Sequence, residues 1–232
     1  MLKIVGKEWL ATRWLSLACL AGFALYSLQP YFAGGMIVFI GSALVLANLM
    51  IGFFIEDRTK TEILYLSLPV GRNAIVGARH LYGIIWVVAA GAVIFGLIGP
   101  VSDALRPGRP GPDPFPLLTI EAAAVFAVFS AILTSLYLSF YHRFGFGRGT
   151  SLFAITCVLL ISVLVVGAVA AFPDDFDLKK NAVGAKTLFG ALHSLRLSLG
   201  TPLFVLAAAV LFVVPFLVSW RLSRRFYARR EF

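Results

Sequence analysis

EDRTKTEILYLSLPVGRNAIVGARH, Glu56 to His80, lies between two long apolar runs, Met36 to Ile55 and Leu81 to Gly99. A helix rising about 1.5 Å per residue crosses a bilayer core of about 30 Å in roughly 20 residues, and both flanking runs meet that length. The quoted stretch carries Glu56, Asp57, Arg58, Lys60, Glu62, Arg72 and Arg79. So many charges are excluded from lipid, which places the stretch at the water boundary. Ile63, Leu64, Leu66 and Leu68 make it apolar enough to need a partner surface, and Pro69-Val70-Gly71 breaks it once. A charged, structured connector between two spans predicts a docking element.

Outside this stretch the composition is that of a membrane protein. With 60% hydrophobic residues, 13% charged residues and a mean hydropathy of +0.92, a soluble domain of 232 residues could not cover its own apolar surface. The expected fold is all-α, one transmembrane domain over residues 1–232. Six spans are expected: Trp14 to Gln29, Met36 to Ile55, Leu81 to Gly99, Leu117 to Tyr141, Thr150 to Phe172 and Pro202 to Trp220. Lys3, Lys7 and Arg13 before the first span resemble a signal-peptide n-region, but LQPYFAGG lacks a convincing small-x-small cleavage site and the next span follows almost at once, so a retained helix is expected. Residues 1–13 read as an interfacial helix, with Leu2, Val5 and Trp9 on one side and Trp9 and Trp14 at headgroup level.

Lys and Arg set the orientation. With the N-terminus inside, the inner segments hold Lys3, Lys7, Arg13, Arg58, Lys60, Arg72, Arg79, Arg143, Arg148, Arg221, Arg224, Arg225, Arg229 and Arg230, while the outer ones hold Arg106, Arg109, Lys179, Lys180, Lys186 and Arg196. That bias predicts both termini in the cytoplasm of a multi-pass protein. The net charge of +9 is then a topology signal, and RRFYARR reads as an anchor to anionic membrane lipid instead of a nucleic-acid patch.

Two outer connectors differ in kind. Val101 to Pro116 is rich in Pro and Gly and predicts an extended loop. The connector of residues 173–200 starts with Asp174, Asp175 and Asp177, read as a solvated loop and helix N-cap and not as a cation site. In it Leu188, Leu192, Leu195 and Leu199 recur at spacings of four, three and four, which predicts an amphipathic helix on the outer leaflet.

Chemistry is sparse. Cys19 and Cys157 each sit inside an apolar span, which gives neither a disulfide framework nor a zinc spacing. His80, His142 and His193 fall in separate connectors and predict no cluster. Gly184-Ala185-Lys186-Thr187 interrupts the phosphate-loop order and follows no strand, so no ATP site, catalytic residue, cofactor or metal is expected in this chain. Among ionisable residues only Glu121 is expected inside a span, near its outer end, where it suits a helix N-terminus; that argues against an ion-coupled carrier. Asn48, Ser130, Thr134 and Ser135 are polar enough to line a path or to bond between helices.

Phe53 to Leu81 resembles the permease subunits of type-2 ABC exporters. In them a cytoplasmic stretch of form E-D-x-x-K-x-x-x-x-x-x-S-L-P-x-x-R joins the second and third spans, and Glu56, Asp57, Lys60, Ser67, Leu68, Pro69 and Arg72 fit that pattern. The resemblance implies that residues 56–80 contain a coupling helix seated on a separate ABC ATPase subunit, that ATP and Mg belong to that partner, and that two permeases, a second copy or a paralogue, pair around the path. The membrane expected for it is a bacterial inner membrane, as the same resemblance implies. In that reading Ile63, Leu64 and Leu66 fill a groove while Arg58, Lys60 and Glu62 set its register. Two alternatives stay open: an interfacial helix held only in lipid headgroups, and a scaffold or sensor subunit that moves no substrate. The apolar spans tilt the expected cargo toward amphipathic or hydrophobic molecules.

Overall fold

The computed structural model describes residues 34–59, 71–98, 100, 119–171 and 182–228. Five α-helices make up these parts: α1 (Gly34–Thr59), α2 (Arg72–Val93), α3 (Ile120–Ala171), α4 (Ala182–Leu199) and α5 (Thr201–Ala228). A π-helical turn, Ile94–Ile98, prolongs α2. No strand occurs among the described residues. Four helices there are long and apolar enough to cross a membrane, namely α1, α2, α3 and α5. The expected first span, the interfacial helix at 1–13, the Pro-rich loop, the Asp174 to Asp177 cluster and residues 60–70 lie outside the described residues.

α3 folds back on itself. Gly145 has φ 77 and ψ −175, a left-handed backbone that suits glycine. Residues 137 and 153 would stand about 24 Å apart along one straight helix, yet the rings of Tyr137 and Phe153 meet with centroids 5.4 Å apart. The helix is therefore two antiparallel arms, residues 120–144 and 146–171, joined at Gly145. The expected spans Leu117 to Tyr141 and Thr150 to Phe172 fall one on each arm. A second positive φ, 81 at Gly200, ends α4 and turns the chain directly into α5, with the Gly200 N–H donating to the Arg196 carbonyl at 2.9 Å.

Packing fixes the directions. Near its start α1 meets the end of α2 and the start of α3, because a Cβ on Gly41 would lie 2.6 Å from Ile94 Cδ1 and 3.3 Å from Phe126 Cε2. At its other end Phe53 stacks on Tyr141, centroids 4.2 Å apart, at the far end of the first arm of α3. Thus α1 and that arm run together while α2 runs against both. α5 contributes one narrow stripe, with Phe216, Ser219, Ser223 and Tyr227 buried at spacings of three, four and four. Segments 56–59, 71–80, 142–149 and 219–228 gather at one end of the bundle; the start of α3 and α4 gather at the other. The first end is called the inner end below, after the side on which the Lys and Arg distribution is expected to place it.

The observed helices overrun the expected spans at this inner end. α1 continues through Glu56 to Thr59, and α2 begins at Arg72 instead of Leu81. In these added turns Glu56 and Arg79 find each other inside the bundle, while Asp57 and Arg58 stay exposed.

Candidate functional site

Val45, Leu49, Phe53 and Glu56 follow one another at spacings of four, four and three, which carries Glu56 on the buried stripe of α1. Ile75, Arg79, Tyr82 and Trp86 do the same for α2. The two stripes face each other, and Arg79 Nη2 donates to Glu56 Oε2 at 2.7 Å. The Arg79 side chain is 0% exposed and that of Glu56 9%. The guanidinium carbon lies 5.4 Å from the ring centroid of Phe53 and 4.9 Å from that of Tyr141. Tyr141 also reaches the same carboxylate oxygen at 3.5 Å. Phe53 and Tyr141, stacked on each other, both flank the cation and replace part of its lost hydration, which makes this burial tolerable.

Beside the ion pair runs a polar chain through three helices. His80 Nδ1 lies 2.9 Å from the Val76 carbonyl, which can only accept, so Nδ1 carries the proton. His80 Nε2 lies 3.0 Å from Ser219 Oγ, and the hydroxyls of Ser219 and Ser139 both reach the Ser135 carbonyl, at 2.7 and 3.0 Å. The His80 ring stacks on His142 with centroids 5.8 Å apart, and His142 meets Tyr227 edge-on at 5.5 Å. At the surface Arg224 Nε donates to Asn73 Oδ1 at 3.0 Å.

Three expectations are corrected here. Glu121 is not alone among ionisable residues on membrane-length helices: Glu56, Arg79 and His80 lie buried there as well. His80 and His142 are not separate but stacked, because the end of the first α3 arm packs beside the start of α2. Arg79 and His80, expected in a connector, lie instead on α2 with their side chains buried in the bundle.

The other selected residues divide. Asp57 and Arg58 lie exposed on the last turn of α1, with the Arg58 guanidinium 5.2 Å from the Phe54 ring. Arg72 opens α2. Lys60, Glu62, Ile63, Leu64, Leu66, Ser67, Leu68 and Pro69 lie outside the described residues. Asn48, Ser130, Thr134 and Ser135 are all buried. Ser130 donates to Ser42 at 2.8 Å across α1 and α3, and a Cβ on Gly83 would sit 2.9 Å from Thr134 Cγ2. Sequence reasoning passed over Arg79, His80, Ser139, Tyr141 and Ser219 as partners. The stripe register of Glu56 and Arg79 was the signal that could have found the first pair.

At the opposite end Glu121, in the first turn of α3, lies 3.0 Å from His193 Nδ1 and 3.0 Å from Arg196 Nε of α4. Leu192, Leu195 and Leu199 of α4 border an apolar groove of about 340 Å³ shared with α3 and α5.

Membrane-length apolar helices packed through a buried polar end define a multi-pass α-helical membrane protein. Residues 2–228 match the family described as ABC-2 family transporter protein, and the chain belongs to that family. It is thus a permease of an ABC transporter, a membrane component that does not itself hydrolyse ATP, from a family that generally works with ABC ATPase subunits. No curated protein and no solved structure matches the chain.

Proposed function

We propose that this chain is the membrane half of an ATP-driven exporter that pairs with a second permease, coupled through residues 56–80 to a separate cytoplasmic ABC ATPase. The observation that carries this reading is the buried Glu56–Arg79 pair. It clamps the helix leading into residues 60–70 to the helix leading out of them. A push on that segment therefore moves α1 and α2 as one body, and Phe53 and Tyr141 pass the movement to α3. Two permeases around the path follow from the small number of spans in one chain, and both termini lie inside by the Lys and Arg distribution. Asn48, Ser130, Thr134 and Ser135 then serve as interhelical bonds or path lining.

Docking is tested by replacing Leu64 and Leu66 with Asp. Each buried apolar side chain contributes roughly 1.5 to 3 kcal/mol, and an unpaired buried carboxylate adds a further cost. Pull-down of the ATPase at matched membrane levels should fail for the double variant while the permease stays inserted. Undiminished binding would sink the coupling assignment.

A further inference from the structure

At the inner end, Asn73 of α2 and Arg221, Arg224, Arg225 and Ala228 of α5 line a cleft of about 420 Å³. Arg221, Arg224 and Arg225 fall at i, i+3 and i+4, so they share one face of α5. Neither Arg221 nor Arg225 has an acidic partner among the described residues, and Arg224 is held by the neutral oxygen of Asn73. The cleft also adjoins the start of α2. There the N-cap is Gly71, which offers no side-chain cap to the first N–H groups, and a Cβ on it would meet nothing within 4 Å. Three arginines, Asn73 and the start of a helix whose N-cap has no side chain border one open space, with no carboxylate among the described lining residues.

We propose that this cleft holds the phosphate of an anionic phospholipid headgroup in the inner leaflet. Guanidinium groups bind phosphate oxygens in pairs, and the helix start adds N–H donors and positive potential. What favours a lipid over an acidic protein surface is the neighbourhood. Trp220 lies under Arg224, its ring centroid 4.9 Å from the guanidinium carbon, and Trp settles at headgroup level. Leu217, Val218 and Leu222, within about one helical turn, are exposed and offer acyl chains a surface that a water-soluble partner would not cover. A basic pocket between spans at the cytoplasmic face is the chemistry that recognises lipid phosphate. The headgroup would tie α5 to the start of α2, directly after the coupling segment. The proposal rests on the membrane class and the charge-derived orientation, not on ATPase docking.

Native mass spectrometry of the full purified chain, titrated with phosphatidylglycerol or phosphatidylcholine, tests it. The wild type should retain phosphatidylglycerol preferentially, and Arg221→Gln/Arg225→Gln should weaken that retention roughly 30-fold, from about one kcal/mol per charge. Arg221→Lys/Arg225→Lys should keep most of it. Gly71→Asp, which fits the open space and removes no side chain, should weaken it by supplying a competing carboxylate, and an unchanged melting temperature for this variant separates site loss from misfolding. Equal retention of the two lipids, or variants that bind phosphatidylglycerol like wild type, would overturn the site. Full displacement of the lipid by millimolar inorganic phosphate would make it a free-anion site. Loss of the ATPase in pull-down with lipid retention unchanged would make it a protein contact; both outcomes refute the lipid assignment.

Discussion

At the inner end a fully buried guanidinium meets a carboxylate beside two stacked aromatic rings, and a polar chain joins α2, α3 and α5. At the outer end Glu121, 4% exposed, meets His193 and Arg196, which are 54% and 23% exposed. Both ends pair an acid with a base, yet the first pair is shielded from water and the second is half open. A shielded pair has no water to take the place of a lost partner, so breaking it is expensive, whereas the open pair exchanges its partners with water cheaply. The contrast implies a bundle held rigid where the ATPase is proposed to push and loosely latched where α4 lies against α3. On the proposed coupling, displacement is expected to show itself at the outer end.

The largest expected effect breaks the inner clamp. Arg79→Met leaves Glu56 buried without its cation and should cost about 3 to 5 kcal/mol, a fall on the order of 10 °C in the melting temperature of the purified chain. Glu56→Gln/Arg79→Met should recover much of that loss, because no bare charge is left. If the single variant melts with wild type, the inner end is no more rigid than the outer.

The next effect sharpens the comparison within the bundle. Gly83→Ala places a methyl 2.9 Å from Thr134 Cγ2, on a side chain stiff at χ1. It should cost about 1 to 3 kcal/mol, and Thr134→Ser, which deletes that methyl, should restore the double variant. Thermal melts of the three proteins decide it.

The smallest belongs to the outer latch. Glu121→Gln should cost only about 1 kcal/mol, as partly exposed ion pairs do. Hydrogen exchange should rise over α4, residues 182–199, and stay unchanged over residues 73–80 of α2. Equal loosening of both would erase the difference between the ends.

Much of this was legible in the sequence. Apolar length marked α1, α2, both arms of α3 and α5, and the leucine spacing marked α4, because periodicity reports which face is buried. Charge alone does not mark the ends of α1 and α2: Asp57 and Arg58 are exposed there, but Glu56 and Arg79 are buried on the same helices. Glu56 and Arg79 each lie in register with an apolar stripe, but that they neutralise each other depends on the facing of α1 and α2, which no single helix records. The same holds for His80 and His142, 62 positions apart in the chain and stacked only through packing. The residues most directly expected to meet an ATPase, Ile63, Leu64 and Leu66, stand on sequence alone.

The one-residue reversal at Gly145 bears on how the chain enters its bilayer. A Cβ on Gly149 would lie 2.9 Å from the Phe140 carbonyl oxygen, so the arms touch almost from the turn itself. A connection that short gives the first arm no slack in which to settle in lipid ahead of the second. Ser130, Thr134 and Ser135 of the first arm would otherwise face hydrocarbon while they waited for neighbours. The hairpin is thus expected to insert as one unit, both arms from the same side, with the exposed Arg143 and Arg148 at its bend; an arm of residues 120–144 that inserts stably without residues 146–171 would refute this.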